Sequence, residues 1–161
     1  MPNNHQLFES LHADYYPMVY QMCKGFVKGD EDQASDLTQE ALINTWRSLS
    51  KFKGASSYKT WIYRITVNTC LKYLRDNKSR NQTTIDEDIQ IPDTETSQNE
   101  THQELYKAIG KLGEVDRLII MMVLDELEYE EIASVIGISE SNLRVKIHRI
   151  KKKLKTILSN E

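Results

Sequence analysis

The segment YEEIASVIGISESNLRVKIHRI, residues 129–150, decides how the second half of this chain folds. Ile132 and Ile136 are one helical turn apart and share a face, and Ala133 is small enough for another helix to cross closely. Gly137 permits the left-handed backbone that a tight turn between two helices requires. The segment therefore predicts a helix-turn-helix.

The helix after this turn has a buried side and a polar side. Ser139 is the predicted N-cap. The predicted buried seam consists of Leu143, Ile147, Ile150 and Leu154. Outward positions begin with short polar groups and become cationic, the order that a recognition helix needs to read base edges first and then hold phosphates. These positions are Ser141, Asn142, Arg144, Val145, Lys146, His148 and Arg149. A three-helix core with a solvated basic face is the alternative that the pattern leaves open.

The composition favours an all-α protein without a metal site. Only 6 of 161 residues are glycine and 3 are proline, which favours long helices over a turn-rich β fold. Cys23 and Cys70 each lie in an apolar helical pattern and are predicted to be buried thiols, so neither a disulfide framework nor a metal site is expected. The sequence has neither a membrane-spanning run nor a secretory leader pattern, and we expect a cytoplasmic protein without membrane insertion.

The charge is unevenly distributed and suggests two domains. The net charge of −3 conceals a stretch, residues 81–104, with 7 acidic and no basic side chains. This stretch is also poor in apolar residues, which is typical of a flexible linker. We therefore predict small helical domains at residues 1–80 and 105–161, joined by this acidic linker.

In the first domain, apolar residues recur at helical spacing, with Pro17 predicting a kink or two short helices. A second helix is predicted over roughly 32–49, with Ala34, Leu37, Ala41 and Trp46 inward. Its other side carries Asp36, Gln39, Glu40, Asn44 and Arg47. On composition alone, a solvated face is the favoured explanation of this polar side, with a binding face as the alternative.

Residues 51–80 combine 8 basic side chains, a single acid and five aromatic rings. Basic groups follow phosphates and aromatic rings stack on unpaired bases, so the mixture suits single-stranded nucleic acid. A helix over 60–75 places Trp61, Arg64, Asn68, Lys72 and Arg75 on one stripe. The preceding loop, residues 53–57, contains a glycine and two serines and could close on an extruded base. An ordinary amphipathic helix with one exposed tryptophan fits the periodicity equally well.

Two blocks together resemble a known family. Residues 36–46 (DLTQEALINTW) and 52–68 (FKGASSYKTWIYRITVN) resemble region 2 of the extracytoplasmic-function (ECF) sigma factors, the two-domain group of the bacterial sigma-70 family. Residues 129–155 resemble their region 4. The acidic stretch takes the place of region 3.

The resemblance implies a promoter-specificity subunit of RNA polymerase with no cofactor and no catalytic residue. It implies that the β′ clamp helices of core polymerase bind Asp36, Gln39, Glu40 and Asn44. It implies that the melted minus-10 strand binds Lys53, Ser56, Ser57, Tyr58, Trp61, Arg64, Asn68 and Lys72. It implies that the minus-35 duplex is read by Ser139, Ser141, Asn142, Arg144, Lys146, His148 and Arg149. The other surface of region 4 would meet the β flap, and the resemblance leaves open whether an anti-sigma factor controls the protein.

Other classes of function fit less well. A repressor or activator would use the helix-turn-helix but would leave the aromatic and basic segment 51–80 without a purpose. A decoy that only sequesters a regulator would not need an intact recognition helix. An enzyme is disfavoured because the sequence has no Gly-rich phosphate loop, HExxH motif, Cys/His cluster or nucleophile elbow.

Overall fold

The computed structural model describes residues 3–80 and 100–159 of the chain, and within these ranges it is helical and contains no strand. The helices are α1 (Asn4–Phe26), α2 (Glu31–Ser48), α3 (Tyr58–Arg80), α4 (Glu100–Gly110), α5 (Glu114–Leu124), α6 (Tyr129–Ile136) and α7 (Glu140–Ser159), with a 3-10 turn at Leu49–Lys51. The predicted all-α class is confirmed. Residues 81–99 of the predicted acidic linker lie outside the described residues, and α4 begins inside the stretch assigned to that linker.

Helices α1, α2 and α3 pack around the first apolar core. Asp30 begins α2 by accepting a hydrogen bond from the backbone N–H of Gln33 at 3.1 Å. Buried threonines on α2 and α3 donate their hydroxyl protons to the carbonyls four residues earlier, which satisfies each polar group inside its own helix. These are Thr38, Thr45, Thr66 and Thr69. Cys23 and Cys70 are buried thiols, as predicted, and the hydrogen bond with Cys23 together with burial raises the pKa of Cys70.

Proline 17 does not divide the first helix. The 23-residue helix α1 continues through Pro17, so the predicted alternative of two short helices is wrong. Proline removes one backbone hydrogen bond, the one to the carbonyl of Ala13. The buried residues Val19 and Met22 follow directly, and their packing against the neighbouring helices holds the second half of α1 in place.

Helices α4 to α7 form the second unit, which packs directly on the first. Its core contains Ile109, Leu118, Ile119, Met122, Ile132, Leu143 and Ile147. Helix α5 packs on α1, and α6 packs on α3. A Cβ atom on Gly25 would lie 2.4 Å from the Sδ atom of Met121, so the missing side chain is what lets α5 approach α1 so closely.

A buried arginine joins the two units. Arg117 of α5 is 7% exposed and donates its Nε–H to the carbonyl of Phe26 at 2.9 Å. Its Nη1 donates to the carbonyl of Leu112 at 2.7 Å. Burial lowers the pKa of Arg117, while the charge of Glu114 raises it. The contact therefore connects the end of α1 to the start of α5 through charged hydrogen bonds shielded from water.

Candidate nucleic-acid and polymerase interfaces

The turn between α6 and α7 has the geometry that the sequence predicted. Gly137 ends α6 with φ +87° and ψ +33° and donates its N–H to the carbonyl of Ala133 at 2.8 Å. The Ser139 hydroxyl accepts a hydrogen bond from the N–H of Asn142 at 3.2 Å. Ser139 is therefore the N-cap of α7, as expected, and it fixes the direction in which α7 leaves the turn.

Helix α7 separates a buried seam from a polar face. The seam is the predicted one, Leu143, Ile147, Ile150 and Leu154. All seven residues predicted to read duplex DNA are exposed, and they are Ser139, Ser141, Asn142, Arg144, Lys146, His148 and Arg149. Arg144 differs from the others because it already has partners. Its guanidinium bonds Glu140 at 2.8 Å and lies 5.1 Å above the ring of Tyr129, so it braces the start of α7.

The loop before α3 has the features of a site that closes on a ligand. Gly54 has φ +75° and no atom within 4 Å of a Cβ added to it, so the backbone at this point is open. The Ser57 hydroxyl accepts a hydrogen bond from the N–H of Thr60 at 3.1 Å. Ser57, which was predicted to contact the melted DNA strand, is therefore also the residue whose side chain caps the first turn of α3. Lys53 is exposed and Ser56 is half-buried, and both leave polar groups accessible beside the open backbone.

Three aromatic rings form a cluster between this loop and α3. The ring centroids of Phe52 and Tyr58 are 4.5 Å apart at an angle of 27°, and that of Trp61 is 4.9 Å from Phe52. All three side chains are half-buried. Aromatic faces that are held rigidly and remain partly open to solvent can stack with an unpaired base at little entropic cost. The cluster includes Tyr58 and Trp61, two of the residues predicted to contact the melted DNA strand. It adds Phe52, one of the five aromatic rings of segment 51–80, which was not among those predicted contacts.

The predicted stripe along α3 continues from this cluster. Asn68 and Lys72 are exposed and Arg64 is half-buried. The Nη2 of Arg64 donates to the hydroxyl of Ser134 on α6 at 2.8 Å. In this conformation, Arg64 is thus occupied by the second unit, whereas the next two stripe residues are open to solvent.

Three of the four residues of the predicted polymerase face on α2 are exposed, and the fourth is half-buried. Asp36, Gln39 and Glu40 are exposed. The Nδ2 of Asn44 instead donates to the hydroxyl of Thr69 on α3 at 3.0 Å. Asn44, one turn after Glu40, therefore lies against α3 at the edge of this face, and its hydrogen bond holds α2 to α3.

An apolar groove beside this face was missed by the sequence analysis. Trp46, predicted to point inward, is 44% exposed, and Ile43 is 49% exposed. Together with Phe8 of α1 they line an open groove of about 600 Å³ that reaches Gln39. Ile43 lies four residues after Gln39, so helical spacing alone could have placed it on the polar face. No local signal marks Trp46, because its exposure depends on how closely α1 approaches α2.

A polar cluster lies where α3 meets the end of α5. The phenol of Tyr63 donates to the Asp125 carboxylate, and the Nζ of Lys59 is 3.4 Å from the same carboxylate. Burial, with a further contribution from Asp125, raises the pKa of Tyr63. These contacts join α3 to the residue that ends α5. No group of side chains suited to hold a metal ion exists within residues 3–80 and 100–159, and none of the helices in these ranges is long and apolar enough for a membrane span.

Comparison with known proteins identifies two regions of the chain that match family models. Residues 11–80 match the model of Sigma-70 region 2, and residues 102–154 match that of Sigma-70, region 4. The ECF RNA polymerase sigma factor SigX of Bacillus subtilis is 29% identical over 89% of this chain and 77% of its own length. RNA polymerase sigma factor YlaC of the same organism is 32% identical over 77% of this chain and 76% of its own length.

The fold also matches a solved structure along nearly its whole length. The sigma factor RpoE of Bartonella quintana, crystallised with the anti-sigma factor NepR, superimposes with a TM-score of 0.80 at 21% identity, covering 94% of this chain and 96% of that one. The two family models follow each other in the order that the resemblance predicted, and the region 4 match begins earlier, at residue 102, than the resemblance at residue 129. The chain belongs to the extracytoplasmic-function group of sigma-70 RNA polymerase sigma factors.

Proposed function

We propose that this chain acts in the bacterial cytoplasm, where it directs core RNA polymerase to promoters with minus-10 and minus-35 elements and assists strand opening without catalysing a reaction. The observation that carries this proposal is the half-exposed ring cluster of Phe52, Tyr58 and Trp61 beside the open backbone at Gly54. A conventional repressor, which binds only duplex DNA, has no use for a stacking surface of this kind.

The other residues that we propose as minus-10 contacts lie in the preceding loop and along α3. Lys53 and Lys72 are exposed cations that can hold the phosphates of the displaced strand. The amide of Asn68 and the hydroxyl of Ser56 are short polar groups suited to base edges. Arg64 joins this surface once its exposed hydrogen bond with Ser134 on α6 is broken.

The minus-35 element is assigned to the exposed face of α7. A recognition helix enters the major groove with its N-terminal residues against base edges. Ser141 and Asn142 occupy that end, and His148 and Arg149 follow one to two turns later. The seven residues of the face and the capping bond of Ser139 support this assignment.

Core polymerase is assigned to the exposed side of α2. Asp36, Gln39 and Glu40 provide the polar part of a docking surface for the β′ clamp helices. Asn44 lies at the edge of this surface and bonds Thr69 of α3. The β flap would bind a surface of the second unit other than the exposed face of α7. An anti-sigma protein is a further candidate partner, because the matched RpoE structure is a complex with one.

The test is transcription with purified components. The full chain and bacterial core polymerase are incubated with fragmented genomic DNA of the host, and the 5′ ends of the transcripts are sequenced. We expect shared minus-10 and minus-35 elements upstream of the starts. Absence of binding to core polymerase at micromolar concentration, or starts without shared elements, would contradict the proposal.

A variant tests the stacking cluster separately from polymerase binding. Trp61→Leu keeps an apolar side chain but removes the flat ring, and one lost base stack is worth about 1–3 kcal/mol. We expect initiation on closed duplex promoters to fall at least five-fold, with a smaller loss on templates that carry a preformed bubble. Tyr16→Leu, which removes an exposed ring on α1, is the matched control and should initiate normally on both templates.

A further inference from the structure

The exposed face of α7 contains one residue whose chemistry differs from that of its neighbours. Val145 is 49% exposed. Ser141 lies one turn before it, and His148 and Arg149 lie one turn after it, so the four side chains form a single row opposite the buried seam. Val145 occupies the middle of this row and is its only apolar member.

Stability does not explain a valine at this position. A side chain that remains half open to solvent contributes little burial. Valine is also a weaker helix former than alanine, arginine or lysine, because its branched Cβ loses rotamer freedom against the preceding turn. A straight polar side chain would favour the helix more than valine does at this position. We therefore look for the contribution of Val145 in what α7 binds.

The neighbours of Val145 limit what that contact can be. Arg144 is already bonded to Glu140 and covers the ring of Tyr129. The centre of the exposed face is left to the row of Ser141, Val145, His148 and Arg149, with Asn142 and Lys146 beside it. Duplex DNA presents one apolar group in the major groove, the C5-methyl of thymine. An apolar side chain in the centre of a groove-facing row has no other partner of matching chemistry there.

We propose that Val145 determines specificity within the minus-35 element by contacting the methyl group of a thymine. This inference rests on the proposed function of α7. Arg149 lies four residues further along, about 6 Å along the helix axis, and arginine commonly pairs with guanine. The recognised element therefore contains a thymine, with a guanine on either strand within about two base pairs of it.

The test removes the methyl group from the DNA. Holoenzyme assembled from the full chain and core polymerase first selects minus-35 sequences from a randomised duplex pool, and each thymine of the enriched duplex is then replaced by uracil. Burial of one methyl group corresponds to about a four-fold change in affinity. We expect the wild-type holoenzyme to bind about four-fold more weakly when one particular thymine is replaced. Replacements at the other positions should change affinity less than two-fold.

Protein variants locate this effect at Val145. Val145→Ala should bind the thymine duplex about four-fold more weakly and should no longer distinguish it from the uracil duplex. Lys152→Ala removes an exposed cation further along the same helix, and as the matched control it should weaken binding to both duplexes equally and keep their ratio. A duplex that restores the methyl as 5-methylcytosine, paired with guanine, should recover part of the affinity only with wild-type protein.

The outcomes separate the two levels of the proposal. If the wild type tolerates uracil at every position, or if Val145→Ala retains the four-fold ratio, the role of Val145 is refuted while the minus-35 assignment stands. If no sequence is enriched from the pool, the minus-35 assignment itself fails and the role of Val145 fails with it.

Discussion

Replacement of Arg117 by alanine should destabilise the chain more than any comparable change on its surface. The guanidinium is 7% exposed and donates to two backbone carbonyls at 2.9 and 2.7 Å. A hydrogen bond to a charged group contributes about 1.5–3 kcal/mol, and removal of the donor leaves a buried acceptor without a partner. Relief of the desolvated charge offsets part of the loss. We expect the free energy of unfolding to fall by about 3 kcal/mol.

The assay is urea denaturation followed by circular dichroism at 222 nm. With a slope of about 2 kcal/mol/M for a chain of this size, the midpoint should fall by about 1.5 M. Arg117→Lys keeps the charge but replaces the planar fork with a single ammonium group, so it should recover less than half of the loss. Arg47→Ala, an exposed arginine in the helix α2, is the matched control and should change stability by less than about 0.5 kcal/mol. A loss at Arg117 no larger than that at Arg47 would refute this reasoning.

Two further predictions concern stability. Gly137→Ala should cost about 1–2 kcal/mol, because φ is +87° and no atom lies near the added Cβ, so only backbone strain acts. Gly113→Ala, at φ −63°, adds no such strain. It should cost less than about 1 kcal/mol in the same thermal unfolding experiment, because alanine is a poorer N-cap than glycine, and equal effects would exclude strain as the cause. Tyr63 has a folded-state pKa raised above its ordinary value near 10 by burial and by Asp125, so its neutral form stabilises the fold below pH 10 and this contribution is lost as the pH rises further. Urea midpoints between pH 8 and 11 should therefore fall more steeply for wild type than for Tyr63→Phe, and parallel curves would contradict the assignment.

The features that the sequence predicted well are local and periodic. The seam of α7 is defined by residues three or four apart, and the Ser139 cap and the Gly137 turn each depend on a contact across two to five residues. Such interactions can be predicted from residue spacing alone, because a helix brings these positions together whatever the rest of the chain does. The exposed row of α7 was predicted for the same reason.

The features that the sequence analysis missed depend on contacts between distant residues. Arg117 bonds a carbonyl 91 positions away, and a single arginine in an amphipathic pattern has no property that marks it as buried. Asn44 was placed on the polar face of α2, yet its amide bonds Thr69 across the core boundary. At the edge of a helix face, the distance to the neighbouring helix decides whether a side chain is covered, and spacing along one helix does not contain that distance.

The contacts between the two units differ in strength, and the stronger one lies away from the candidate DNA contacts. The hydrogen bond from Arg64 to Ser134 is exposed and is worth about 1 kcal/mol. The ion pair of Lys78 with Glu114, at 3.8 Å with side chains 68% and 38% exposed, contributes about 0–1 kcal/mol and is weakened by salt. Arg117 provides a larger contribution from a buried position that salt screens little. Release of Arg64 for the melted strand therefore costs little by itself, whereas separation of the two units would also break the buried contacts of Arg117 and Tyr63 with the opposite unit.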